Sequence, residues 1–199
     1  MSESGTRERS VVRVMERSGS AAVRLWTERS RKTMGVYTCF CTDTIHEGHL
    51  NIIRESQKYG DVVVGVLADH VLVRFNRFPI LEQDERVKLM EQLEGVSRVI
   101  IQNDAMYQDV VEELHPDYVV HGDNWKNGPM RAIRENVQKL LEGYGGEIID
   151  VPYTYNENVK RADLKIREKL AMPEYRRKRL RQLIKLCPIV KTIEVHSGL

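Results

Sequence analysis

Cysteine is scarce and badly placed for cross-linking. There are three in 199 residues, with Cys39 and Cys41 one residue apart and Cys187 far downstream. An odd number at that spacing argues against a disulfide framework and suits a reducing cytoplasm. Aromatic residues make up only 7% of the chain, and no run of eighteen apolar residues occurs, so no helix of the sequence is expected to span a membrane. Arg and Glu stand near the N-terminus where a secretory signal needs an apolar stretch, so no export signal is read there. What is present suffices for a fold. Apolar residues reach 41%, enough for the core of one domain with appendages rather than two domains.

The net charge of +2 hides an asymmetry: residues 1–32 carry +4 and residues 173–199 carry +5, leaving −7 on 33–172. A nucleic-acid-binding domain places its basic charge on the folded face. An acidic middle with basic flanks does not, so nucleic acid is not an expected partner and the flanks read as solvated helix faces.

Residues 1–33 are rich in Ser and Arg and read as a basic, loosely structured extension. From 34 to about 170 the pattern alternates. GVYTCFC is a short apolar strand, and HLNIIRESQKYG a helix stopped at Gly60. DVVVGVLAD is a continuous apolar run of strand length, the mark of a strand buried on both faces of a parallel sheet. LEQDERVKLMEQLEG, AMYQDVVEELHP and MRAIRENVQKLLEGYGG follow as helices, with VSRVII, DYVVHGD and EIIDVPY as strands between and after them. This order predicts an α/β, doubly wound, Rossmann-like parallel sheet with basic helical appendages. Ligands of such sheets collect beyond the carboxyl ends of the strands. The polar stretches there are Asp43 to His49, Ala68 to Arg77 and His121 to Trp125.

The first of these, CTDTIHEGHL, admits three readings. Cys39, Cys41, His46 and His49 have the composition of a zinc cluster. The zincin helix, however, spaces its histidines at i and i+4, and here the interval is three; buried free cysteines are also ordinary core residues. A helix beginning near Gly48 would instead offer free N–H groups and a positive dipole end to a phosphate. Gly48 would permit close approach, and His46 and His49 would donate to a phosphoryl group in its transition state. The third reading is a helix capped at Asp43 or Thr44 with incidental histidines.

H-x-G-H after the first strand resembles the cytidylyltransferase branch of the nucleotidyltransferase superfamily, which includes glycerol-3-phosphate, ethanolamine-phosphate and choline-phosphate cytidylyltransferases. YVVHGDNWK at 118–126 resembles the family's G-D-D-W segment, and RFPILEQDER at 77–86 its R-x-P segment with a second Arg. The likeness covers roughly 35–155. It implies the H-x-G-H nucleotidyltransferase fold and transfer of CMP from CTP to an anionic acceptor with release of pyrophosphate. His46 and His49 would be catalytic. Cys41, Thr42, Asp43, Gly48, Arg77, Gly122, Asp123, Asn124, Trp125, Lys160 and Arg161 would bind the nucleotide. Magnesium would be held by the triphosphate and not by protein side chains. Relatives are often dimers, so a homodimer is an allowed partner.

The tail, RRKRLRQLIKLCPIVKTIEVHSGL, resembles the start of a phosphoenolpyruvate mutase domain, through Glu194, His196, Ser197 and Gly198. Residues 171–199 therefore read as a basic linker helix and the beginning of a truncated mutase-like domain, which implies an excised domain or a shortened gene. A fused or separate mutase is then an implied partner, in phosphonate biosynthesis. A small phosphonate of the 2-hydroxyethyl or 2-aminoethyl class becomes the implied acceptor, with glycerol, ethanolamine or choline phosphate as alternatives.

The sequence departs from the family in three places. Phe40 and Cys41 precede Thr42-Asp43 where the family has a Gly-rich entry. Asn76 stands where a lysine is common. The late G-I-S-(S/T)-T cap is replaced by Glu157 to Asp163, where Lys160 and Arg161 offer charge in place of hydroxyls. These departures keep open a non-catalytic nucleotide-binding domain as a second class, beside an adenylyltransferase of the same superfamily.

Overall fold

The computed structural model describes residues 35–41, 44–75, 77, 79–152, 154, 157, 161, 165 and 173–186. The extension 1–33, Thr42, Asp43, Asn76, Lys160 and residues 187–199, where the resemblance to a mutase start was read, lie outside the described residues.

Five strands form one all-parallel sheet: β1 (Gly35–Phe40), β2 (Asp61–Leu67), β3 (Val96–Gln102), β4 (Tyr118–Gly122) and β5 (Glu147–Val151). Their spatial order is β3-β2-β1-β4-β5. The expected α/β, Rossmann-like sheet is therefore the observed fold. The chain winds outward from β1 through β2 to β3, then crosses back to add β4 and β5 on the other side. The reversal leaves a crevice between the carboxyl ends of β1 and β4, where open α/β sheets bind ligands.

β2 is the apolar run DVVVGVL, and Val62, Val63, Val64 and Val66 are all at most 2% exposed. Both faces are covered, which only helix layers on either side can achieve. On one face lie α1 (Glu47–Ser56), α2 (Asp69–Arg74) and α3 (Gln83–Glu91), packed through Ile53, Leu72, Val87 and Met90 onto Phe40, Val64 and Val66. On the other lie α4 (Gln108–Leu114) and α5 (Arg131–Glu142). Val110, Val111, Val137 and Leu141 of these helices meet Tyr37, Val63, Ile100 and Val119. Val137 and Leu141 are four apart, the stripe spacing of an amphipathic helix. The basic helix α6 (Pro173–Leu186) packs beside α2 and leaves Ile184 exposed.

Two elements differ from the sequence expectation. Ala68 to Arg77, read from the sequence only as a polar stretch beyond β2, contains a helix. Asp69–Arg74 is a helix with Val71, Leu72 and Val73 buried, where six residues are too few for periodicity to register. α1 ends at Ser56 rather than at Gly60, because Tyr59 leaves the helix to pack against Tyr118 of β4.

One buried polar contact ties β1 to β3 across the strand between them. The Tyr37 hydroxyl on β1 donates to Gln102 Oε1 on β3 at 2.5 Å. It reaches across β2 because Gly65 has no side chain; a Cβ there would stand 1.7 Å from the Tyr37 oxygen. Gly65→Ala should therefore overpack the core and lower unfolding free energy by about 1–3 kcal/mol, measurable by urea denaturation.

Candidate active site

α1 begins at the carboxyl end of β1, and its first turn is built from the two histidines. His46 is the N-cap, in extended conformation, and its Nδ1 accepts from the Gly48 N–H at 3.1 Å. His49, at the third helical position, answers with its own Nδ1, which accepts from the His46 N–H at 3.4 Å. This is a capping box in which two imidazoles replace the usual Ser/Thr and Glu/Gln. The cap is His46, where the sequence also allowed Asp43 or Thr44.

The cap decides what the helix start can offer a ligand. The Gly48 amide is taken by the His46 ring, and the His49 and Leu50 amides bond to the His46 carbonyl. The free N–H groups expected around Gly48 are therefore occupied. The imidazoles replace them. With both Nδ1 atoms accepting from backbone N–H groups, each neutral ring carries its proton on Nε2 and is a donor there. Burial lowers the His46 pKa; burial and then the neighbouring His46 push His49 down to about 4. The rings lie 3.9 Å apart, and Phe40 packs edge-on against His49 at 5.0 Å. Both are neutral donors near pH 7.

Gly48 has a different reason for being glycine than close approach of phosphate. A Cβ would come within 2.9 Å of His46 Cε1, so a side chain there would push the capping ring off its amide.

These groups line a cavity of about 670 Å³ that runs along the carboxyl edge of the sheet and touches all five strands or their exits, through Cys41, Leu67, Gln102, His121 and Val151. That volume is in the range of small-molecule sites. Of the nucleotide-binding residues expected from the sequence, Cys41, Gly48, Arg77, Gly122 and Asn124 line it together with His46 and His49. The Arg77 backbone N–H bonds to the Leu72 carbonyl at the end of α2, and its guanidinium donates to Cys41 Sγ at 2.9 Å. The position of this cation thus depends on the helix that the sequence reading missed. α2 is itself fixed to α3 by Asp69, which accepts from the Gln83 N–H and pairs with the fully buried Arg86 at 2.5 Å.

Three expected residues lie elsewhere. Trp125 is fully buried, and its indole N–H donates to Asp150 at 2.7 Å; the ring stands behind the cavity wall, stacked on His121. Asp123, half-buried at the start of a 3-10 turn (Asp123–Lys126), does not line the cavity, and Arg161 is exposed away from it. Cys39 packs between the two core clusters, and burial pushes its thiol up to about 12.

The cavity also exposes residues that sequence reasoning passed over. Thr154 lies beyond β5 beside Gly48, and its hydroxyl oxygen accepts from Asn51 Nδ2 at 3.0 Å. It brings a hydroxyl close to the helix cap just before the stretch where the Ser/Thr clamp was sought. Tyr107 enters the wall in a left-handed backbone conformation, φ 65°, uncommon for a bulky residue and characteristic of functional sites. His121, named in the sequence only as the start of the 121–125 stretch and given no role of its own, also lines it.

The cap has a pH signature. The folded pKa of His49 is depressed below its ordinary value near 6.5, so acid favours the unfolded chain, which binds the proton more readily. Its contribution to stability is complete above about pH 6.5 and is lost as pH falls toward about 4. The urea midpoint should decline across that window, and His49→Gln should flatten the decline.

The cytidylyltransferase-like family matches residues 37–188, about three quarters of the chain. Ethanolamine-phosphate cytidylyltransferase of Arabidopsis thaliana is 33% identical over 104 residues, covering 48% of this chain and 24% of that protein. The bifunctional protein HldE of Desulfatibacillum aliphaticivorans is 30% identical over 120 residues, 59% of this chain and 24% of that protein. FAD synthase of Thermococcus sibiricus is 28% identical over 132 residues, 65% of this chain and 87% of that enzyme. The chain thus spans about a quarter of the first two and most of the third. Among solved structures, a lipopolysaccharide core biosynthesis protein from Thermoplasma volcanium shares the fold, with a TM-score of 0.52 at 24% identity, covering 63% of this chain and 99% of that one. With the paired histidines at the switch point of a five-stranded parallel sheet, this match places the chain in the cytidylyltransferase-like family of nucleotidyl-transferring enzymes.

Proposed function

We propose that the protein transfers CMP from CTP to a small phosphonate, of the 2-hydroxyethyl or 2-aminoethyl class, and releases pyrophosphate. The observation that carries nucleotidyl transfer is the pair of neutral imidazoles on the cavity wall, each with Nδ1 spent inside the helix cap and Nε2–H left to donate. An ionised acceptor oxygen attacks the α-phosphorus and forms the new P–O bond. The bond from the α-phosphorus to the bridging oxygen breaks, and its electron pair leaves on pyrophosphate. The nucleophile is already an anion, so no general base is needed; alignment and charge stabilisation do the catalysis. His46 and His49 donate to phosphate oxygens as hydrogen-bond donors rather than as cations, and Arg77 supplies positive charge beside Cys41.

Magnesium enters this reading as the counter-ion of the triphosphate. Among the described residues the cavity wall contains no Asp or Glu, and no three His, Cys, Asp or Glu side chains assemble a metal cage. The wall fits phosphates that carry the ion, held by His46, His49 and Arg77, and when bound the ion neutralises charge on the departing pyrophosphate.

CTP as the donor is supported by the family match and by the ethanolamine-phosphate cytidylyltransferase relative. The phosphonate acceptor rests only on the resemblance read in the sequence of residues 171–199. That same relative favours a phosphomonoester as the second reading.

Incubation with each nucleoside triphosphate, magnesium and a panel of phosphonates and phosphomonoesters should release pyrophosphate with CTP. No release with CTP across the panel defeats the proposal. His46→Ala and His49→Ala should each raise the barrier by about 2–4 kcal/mol, the usual cost of deleting one transition-state donor, as read from kcat/KM.

A further inference from the structure

The third imidazole of the cavity, His121, has the opposite hydrogen-bonding polarity from the other two. Its Nδ1 lies 2.8 Å from the Gly122 carbonyl oxygen. A carbonyl only accepts, so the proton is on Nδ1 and Nε2 of the neutral ring carries a lone pair. The hydrogen bond that His121 makes among the described residues is this one, through Nδ1, and Nε2 faces the cavity side of the ring.

The ring is held in that orientation from behind. It stacks on Trp125 at 4.1 Å with 14° between planes. Trp125 donates to Asp150, which also binds Arg134 at 2.9 Å and Lys126 at 3.1 Å. Burial alone would push the Asp150 carboxyl up, but these three donors outweigh it and hold the carboxyl below its ordinary value. A buried tryptophan, an anion and two cations thus fix one imidazole that no step of the transfer requires.

The surroundings indicate what it reads. β4 alternates its side chains, so Val120 belongs to the α1 face while Val119 and Trp125 belong to the α5 face. His121, two residues from Val119 and stacked on Trp125, lies on the α5 side of the sheet edge. There the cavity is walled by Tyr107, Pro129, Met130 and Ile133, with the neutral amides of Asn124 and Asn127 from the same turns. The charged and donor-bearing wall, with His46, His49 and Arg77, is on the α1 side. A lobe of apolar and aromatic side chains with neutral polar groups, one of them a fixed acceptor, carries no cation for a phosphate and suits a flat heterocycle.

We propose that this lobe takes the nucleobase and that His121 selects it by accepting a hydrogen bond from an exocyclic amine. Cytosine presents such an N–H donor at C4. Uracil presents a carbonyl oxygen there, which would face the Nε2 lone pair with no proton between them. The inference rests on the nucleotidyl-transfer reading above and adds a specificity residue to it.

The test uses calorimetric binding of three nucleotides to the intact protein: CTP, UTP, and the CTP analogue whose 2-pyrimidinone base lacks the C4 amine. Wild type should bind CTP about tenfold or more tighter than the analogue, the size of one net hydrogen bond, and UTP more weakly still. His121→Phe keeps a ring on Trp125 and removes the acceptor, so CTP and the analogue should bind alike. His121→Met serves the same comparison if the Phe variant does not fold. Equal binding of CTP and the analogue by wild type overturns the proposal without recourse to any variant. So does a CTP preference that persists in a folded variant. A variant that alters the preference between 2-aminoethyl- and ethylphosphonate while leaving base preference unchanged would reassign His121 to the acceptor substrate, which also overturns it. Absence of binding by all three nucleotides defeats the nucleotidyl-transfer reading itself, whereas binding without discrimination defeats this inference alone.

Discussion

The constraint on which the rest depends is the position of β1, paired in parallel with β2 on one side and β4 on the other. The strand must be apolar on both faces, because helix layers cover each side of a parallel sheet. Its alternation accordingly sends Val36 and Phe40 to the α1 face and Tyr37 to the α5 face. The reversal of winding at β1 and β4 prevents the loops after these two strands from covering the same spot. The crevice that results lies on a line where both helix layers end. A ligand placed there is reached from the α1 face by the histidine cap and from the α5 face by His121 and Tyr107.

The cap carries two obligations at once. Ser, Thr, Asp and Asn are the favoured N-caps, and an imidazole in that place is an unusual choice for stability alone. It is explained by the second nitrogen. Bonding through Nδ1 sets the tautomer, orients the ring and leaves Nε2–H for the cavity, so each histidine is fixed by the same bond that caps the helix. Phe40 packs edge-on against His49, and burial of that ring favours its neutral form. Gly48 then follows from the cap, since the ring that closes over its amide leaves no room for a side chain.

On the opposite wall, order comes from charge in place of a helix terminus. Asp150 at the end of β5 gathers Trp125, Lys126 and Arg134 from the 3-10 turn and from α5. A carboxylate with three donors is well compensated for its partial burial. The network joins β5 to the segment that follows β4, the two strands added after the reversal, and Trp125 passes its rigidity to His121 through a stacked contact.

Periodicity alone determined the parallel α/β architecture, because a continuous valine run such as DVVVGVL has few stable homes other than a strand covered on both sides. H-x-G-H after the first strand pointed to paired histidines only with the family resemblance beside it, and the structure brings the two together because an N-cap and the third helical residue meet across the first turn. Tertiary structure decided the rest. Whether Trp125 faces ligand or core depends on Asp150, 25 residues away, and on the helices that bury it. Local sequence cannot say which nitrogen of His46, His49 or His121 holds a proton. That depends on the partner each ring finds: backbone amides for the first two and a carbonyl for the third. One spacing motif thus yielded two donors, and a histidine read only as part of a glycine-aspartate segment became the acceptor across from them, because the fold supplied opposite dipoles to chemically identical rings.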